Sequence, residues 1–166
     1  MLTHLPHIVD SNRFGGLIGG EADIIDTTDW RIIMLPQALF LLAYSTTWLK
    51  FIRSDKTFEN LVLFALVGYL SYFTFAVGVH ENHLFPAMVL ATVLYWLDKE
   101  RASNALIIAI AGNLNLVLFY GLTGAEPPLK RTIGGVDLAL VISLLIVSFF
   151  LQMWTTTVFK RSRVVP

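Results

Sequence analysis

The chain has 166 residues, 55% of them hydrophobic and only 14% charged, with a mean hydropathy of +0.67. Soluble domains carry about 25% charged residues, so composition argues against an ordinary soluble enzyme and for an all-α integral membrane bundle. Twelve basic residues balance twelve acidic ones and no cysteine is present, which removes any long-range field for nucleic acid together with disulfide, thiolate-metal and cysteine-nucleophile chemistry.

Residues 1–31 read as an interfacial segment on the outer face. Met1 to Asp10 lacks the basic start and apolar run of a secretion signal, and without a Cys or a Met-Gly start no lipid anchor is expected. Glu21, Asp23, Asp26 and Asp29 follow the pairs Gly15-Gly16 and Gly19-Gly20. Carboxylates at this density suit Mg²⁺ or Mn²⁺, which makes Asp23 and Asp26 the metal candidates. The competing reading is structural and weighs more: Thr28 or Asp29 is placed to cap a helix starting near Trp30.

Five continuous apolar runs follow: Ile32 to Trp48, Leu61 to Val79, Leu84 to Leu97, Ala102 to Leu122 and Val136 to Trp154. A bilayer core about 30 Å thick takes about 20 helical residues, whereas barrel strands would alternate in segments of about ten. The runs predict a five-helix membrane domain over residues 32–160, with a basic cytoplasmic tail at 161–166. Alternating spans put Lys50, Arg53, Lys56, Lys99, Arg101, Lys160, Arg161 and Arg163 on one side, and Arg13, Arg31, Lys130 and Arg131 on the other. The side richer in basic residues is cytoplasmic. The amino end is therefore expected outside, in a bacterial or archaeal plasma membrane.

The third run is short. Its fourteen residues make a helix of about 21 Å, and it is preceded by His80-Glu81-Asn82-His83. Either these polar residues extend the helix into the headgroup region, or the helix starts in a recess. Pro86 suits a first helical turn. Helix N-termini favour anions, so His80, Asn82 and His83 are the candidates for a phosphate or lipid headgroup, with Glu81 as the one candidate acid or base. An ordinary interfacial loop is the competing reading. A zinc-peptidase helix needs histidines four apart, and these are three apart.

Within the runs, Asn113 and Asn115 lie about 200° apart on a helix, so at least one is expected to meet another helix. Ala105, Ala109 and Gly112 form a small-residue stripe for close helix approach. Tyr69, Tyr72, Ala76 and His80 recur on one face of the second run, as the lining of a groove leading to the His80–His83 loop or, equally, as aromatic packing.

The sequence Asn12-Arg13-Phe14-Gly15-Gly16-Leu17-Ile18-Gly19-Gly20, an apolar span, and then Tyr72-Phe73-Thr74-Phe75 leading into Val79-His80-Glu81-Asn82-His83-Leu84-Phe85-Pro86 resembles the C-terminal membrane part of GT-C glycosyltransferases. These polytopic enzymes take a sugar from a polyprenyl-phosphate donor on the outer or lumenal face. The resemblance covers roughly residues 12 to 120 and implies that His80 and Glu81 lie near a lipid-linked phosphate. Such enzymes carry their catalytic acid in an earlier external loop that this stretch lacks, and Asp23, Asp26 and Asp29 do not stand in its context. The expectation is a non-catalytic subunit among other integral membrane subunits and lipids. Two alternatives stand beside it: half of a split, or a minimal, polyprenyl-phosphate-sugar-dependent transferase acting through Glu81, and a subunit of a respiratory or photosynthetic complex with a His-bound haem or pigment.

Overall fold

A computed structural model describes residues 30–76, 81–120, 132–133 and 136–159. Among these the chain is all-α in character, with five α-helices: α1 (Trp30–Ile52), α2 (Phe58–Phe75), α3 (Phe85–Leu97), α4 (Ala102–Tyr120) and α5 (Leu138–Phe159). A 3₁₀ turn, Glu81–Leu84, runs directly into α3. The strands β1 (Thr132–Ile133) and β2 (Val136–Asp137) pair antiparallel, with Thr132 opposite Asp137 and Ile133 opposite Val136. Each helix falls on one of the five apolar runs. The fifth run opens differently from the expectation, because Val136 and Asp137 belong to this small hairpin and the helix begins at Leu138.

The helix ends follow local chemistry. Thr57 caps α2, its hydroxyl accepting from the Asn60 backbone N–H at 3.2 Å, and Glu59 sits in the first turn, where negative charge suits the dipole. Asp98 ends α3 and stiffens the short connection to α4. One of its carboxylate oxygens accepts from the Glu100 and Arg101 backbone N–H groups at 2.9 and 3.1 Å, and the other pairs with the Arg101 guanidinium.

Successive helices pack on one another, and α5 returns to touch both α1 and α2. Helix α2 is the hub, with Leu66, Val67 and Leu70 fully buried. The same core takes in Leu84, Ala87, Ala91 and Leu94 from α3 and its turn, Ala105 and Ile108 from α4, and Ile146, Phe150 and Met153 from α5. The buried positions recur every three or four residues, the spacing of one helix face. The indole N–H of Trp154 ties α5 to α1, reaching the Ala43 carbonyl at 3.2 Å and the Thr46 hydroxyl at 3.3 Å.

Two helical stretches, Phe58–Phe75 and Val141–Phe159, are long and apolar enough to cross a membrane, while Phe85–Leu97 and Ala102–Leu118 are shorter apolar helices. Within their apolar windows α2 is 61% buried and α5 only 22%. The first is thus wrapped by protein, and the second presents most of its apolar surface outward.

Candidate functional site

The polar turn ahead of α3 extends the helix backbone. Its backbone is helical from Glu81, and α3 follows without a break. Four 3₁₀ residues add about 8 Å to the roughly 20 Å of the thirteen-residue α3. Pro86 lies in the first turn of α3, as expected. The N–H donors expected at the start of that helix are displaced upstream, because Leu84 already has right-handed helical geometry and gives no side-chain cap.

Beneath the turn, the fully buried Leu84 anchors it to α4. A Cβ placed on Gly112 would lie 3.1 Å from Leu84 Cδ2 and 2.6 Å from both Cγ and Sδ of Met88. Glycine here lets α3 and α4 meet without displacing Met88; of the stripe Ala105, Ala109 and Gly112, Ala105 and Gly112 are buried and Ala109 is half-buried. From the other side, the Tyr69 hydroxyl donates to the His83 carbonyl at 2.7 Å and fixes the turn to α2.

Of the candidate headgroup ligands, His83 is half-buried in this turn. Glu81 and Asn82 are placed by their backbone alone, while His80, Asp23 and Asp26 lie outside the described residues. Among the described residues no three His, Asp or Glu side chains converge. The two asparagines separate as the helical angle requires: Asn113 is exposed and bonds back to the Ala109 carbonyl at 2.8 Å, whereas Asn115 is buried with no partner for its side-chain oxygen.

The tyrosine stripe leads to a cavity. Tyr69 and Tyr72 stack edge-to-face at 5.8 Å, Phe40 meets Tyr72 at 6.2 Å, and Phe40 meets Tyr44 at 5.5 Å. Below these rings a groove of about 460 Å³ opens between α1 and α2, floored by Ala65 and Gly68 and walled by Thr47, Trp48, Phe51, Leu61 and Phe64. On α2 the stripe at Tyr69 and Tyr72 signalled it. On α1 the spacing of Phe40, Tyr44, Thr47, Trp48 and Phe51 carries the same helical signal, and joining the two needs the packing of the helices.

The groove and the pinned turn share Tyr69, so a single α2 side chain closes one end of an apolar slot and holds the polar turn. Comparison with protein-family models, with curated proteins and with solved structures gives no match to this chain.

Proposed function

We propose that the chain is an integral membrane protein of five spans, amino end outside and carboxyl end cytoplasmic, acting as a non-catalytic subunit of a larger membrane complex. One observation carries this reading: large apolar side chains stay uncovered around the bundle while the helix interiors hold no charge. Met34 and Leu42 on α1, Trp96 on α3, Ile110 and Leu114 on α4, and Leu144 and Leu151 on α5 all face outward. Between residues 60 and 79, 84 and 97, 102 and 124, and 138 and 159 the sequence has no charged side chain.

Several hydroxyls on these helices are satisfied internally, as a lipid environment demands. Hydroxyls of Thr46, Ser71, Ser148 and Thr155 donate to carbonyls four residues back, at 2.7 to 2.8 Å. The likeness to GT-C membrane parts suggests neighbours that handle polyprenyl-phosphate sugars, with the His80–Pro86 turn holding a lipid-linked phosphate at the outer surface.

The absence of native cysteine makes the topology directly testable. Single cysteines at Asp55, Lys99 and Thr123 are expected to react with an impermeant maleimide from opposite sides, the first two from the cytoplasm and the third from outside. Labelling of all three from one side overturns the five-span arrangement. For the role, purified chain is expected to turn over no polyprenyl-phospho-sugar. Turnover that Glu81→Gln abolishes overturns the non-catalytic reading in favour of a minimal or split transferase.

A further inference from the structure

The groove between α1 and α2 meets the Glu81–Leu84 turn at one end, through Tyr69, and a different chemistry at the other. Its walls run from Phe40 to Phe51 on α1 and from Tyr72 to Leu61 on α2. Eleven residue steps along each helix give a length of about 16 Å, close to half of a bilayer core about 30 Å thick. On the membrane-spanning reading, a slot of this length fits within one leaflet. A partner helix crossing the membrane would need a seam along the whole thickness, and a polyprenyl tail outruns a single leaflet. A volume of about 460 Å³ is comparable with one fatty acyl chain.

At the Phe51 end the slot meets cations. The Lys56 ammonium stands 4.3 Å from the centroid of the Phe51 ring and is drawn over the last turn of α1 by the carbonyls of Phe51 and Ser54. Arg53 is exposed on the same connection, and Lys50 precedes it in the last turn of α1. Asp55 on this connection and Glu59 in the first turn of α2 set two acidic groups against these three basic ones. An apolar slot one leaflet long, with a cation stacked on its terminal ring, complements an amphiphile with a negative head and a chain of acyl length.

We infer that the α1–α2 groove binds one acyl chain of an anionic glycerophospholipid, with the phosphate at Lys56 and Arg53. This rests on the membrane-spanning reading proposed above. Basic groups at such a surface contribute about fivefold each to the affinity for anionic lipid, and the stacked ammonium keeps donor capacity beyond its two carbonyl partners.

Trp48 lines the groove and serves as its reporter. Purified chain in phosphatidylcholine bilayers is titrated with phosphatidylglycerol or phosphatidylcholine carrying brominated acyl chains, and tryptophan quenching is read. Stronger quenching by the anionic lipid is expected. That excess is lost in Trp48→Phe, and also in Ala65→Phe, where an exposed small residue gains a ring that fills the slot. Lys56→Gln is expected to weaken the anionic preference about fivefold. Equal quenching by both lipids, or an excess that survives Ala65→Phe, overturns the inference. So does self-association that Ala65→Phe abolishes, which would put a second copy in the slot, or displacement by a polyprenyl phosphate at far lower concentration. Failure of the membrane reading looks different: carbonate extracts the chain, and neither lipid quenches.

Discussion

The α3–α4 pair and the α1–α2 pair are both neighbouring apolar helices, yet one interface is shut and the other stands open. Small residues shut the first. Ala87, Ala91 and Ala105 are fully buried, and Gly112 leaves room only for Met88 and Leu84. Across the second pair, rings at Phe40, Tyr44, Tyr69 and Tyr72 meet one another above a cavity of about 460 Å³. There Gly68 has ordinary clearance, since an added Cβ would sit 3.5 Å from the nearest Tyr44 ring atom. Rings are stiff and prefer edge-to-face contact, so they hold helices apart where alanines and glycines let them close. Side-chain size at the seam closes one pair into a clamp and leaves a groove in the other.

The sharpest way to break this contrast is to remove one leucine from each region. Leu84→Ala is expected to destabilise by about 2–5 kcal/mol, the cost of a cavity at a fully buried site, whereas Leu61→Ala, half-exposed at the groove, should stay within about 0.5 kcal/mol. Thermal unfolding of both variants in one detergent checks this, and equal losses would erase the distinction.

Next in size is the pair of glycines. Gly112→Ala is expected to cost about 1–3 kcal/mol through overpacking against Met88. Gly68→Ala should be neutral or stabilising by up to about 1 kcal/mol, because helix propensity improves and nothing clashes. A matched loss at both positions would mean that the groove is as tightly packed as the clamp.

The smallest effect concerns the link between the two regions. Tyr69→Phe keeps the ring and deletes the hydroxyl that reaches the His83 carbonyl, at an expected cost of about 0.5–1.5 kcal/mol. Amide exchange should quicken within Glu81–Leu84 and stay unchanged in α4. Unchanged exchange in the turn would show that Leu84 alone anchors it.

Much of the fold was legible because charge and apolar length mark helices plainly. Trp30–Ile52 lies over the run that began at Ile32, and Phe58–Phe75 over the run that began at Leu61. The start of the fifth helix was misread by counting apolar residues alone. Val136 continues an apolar run, yet Gly134-Gly135 between β-branched residues is a hairpin signal, and Ile133 pairs with Val136. The candidate site was legible in part. Tyr69 and Tyr72 of the stripe both pack ring on ring and line a groove, Ala76 is not in its lining, and the second wall belongs to α1, which no spacing within α2 can reveal. Burial separates Asn113 from Asn115 only once a neighbour is chosen for α4.

Sequence by itself determined where the helices run, that their interiors carry no charge, and that basic residues cluster at particular connections. Only the tertiary structure decided which faces touch. These helices are apolar nearly all round, so periodicity distinguishes their faces weakly. The choice falls to shape: glycine and alanine admit a neighbour, and aromatic rings hold it off.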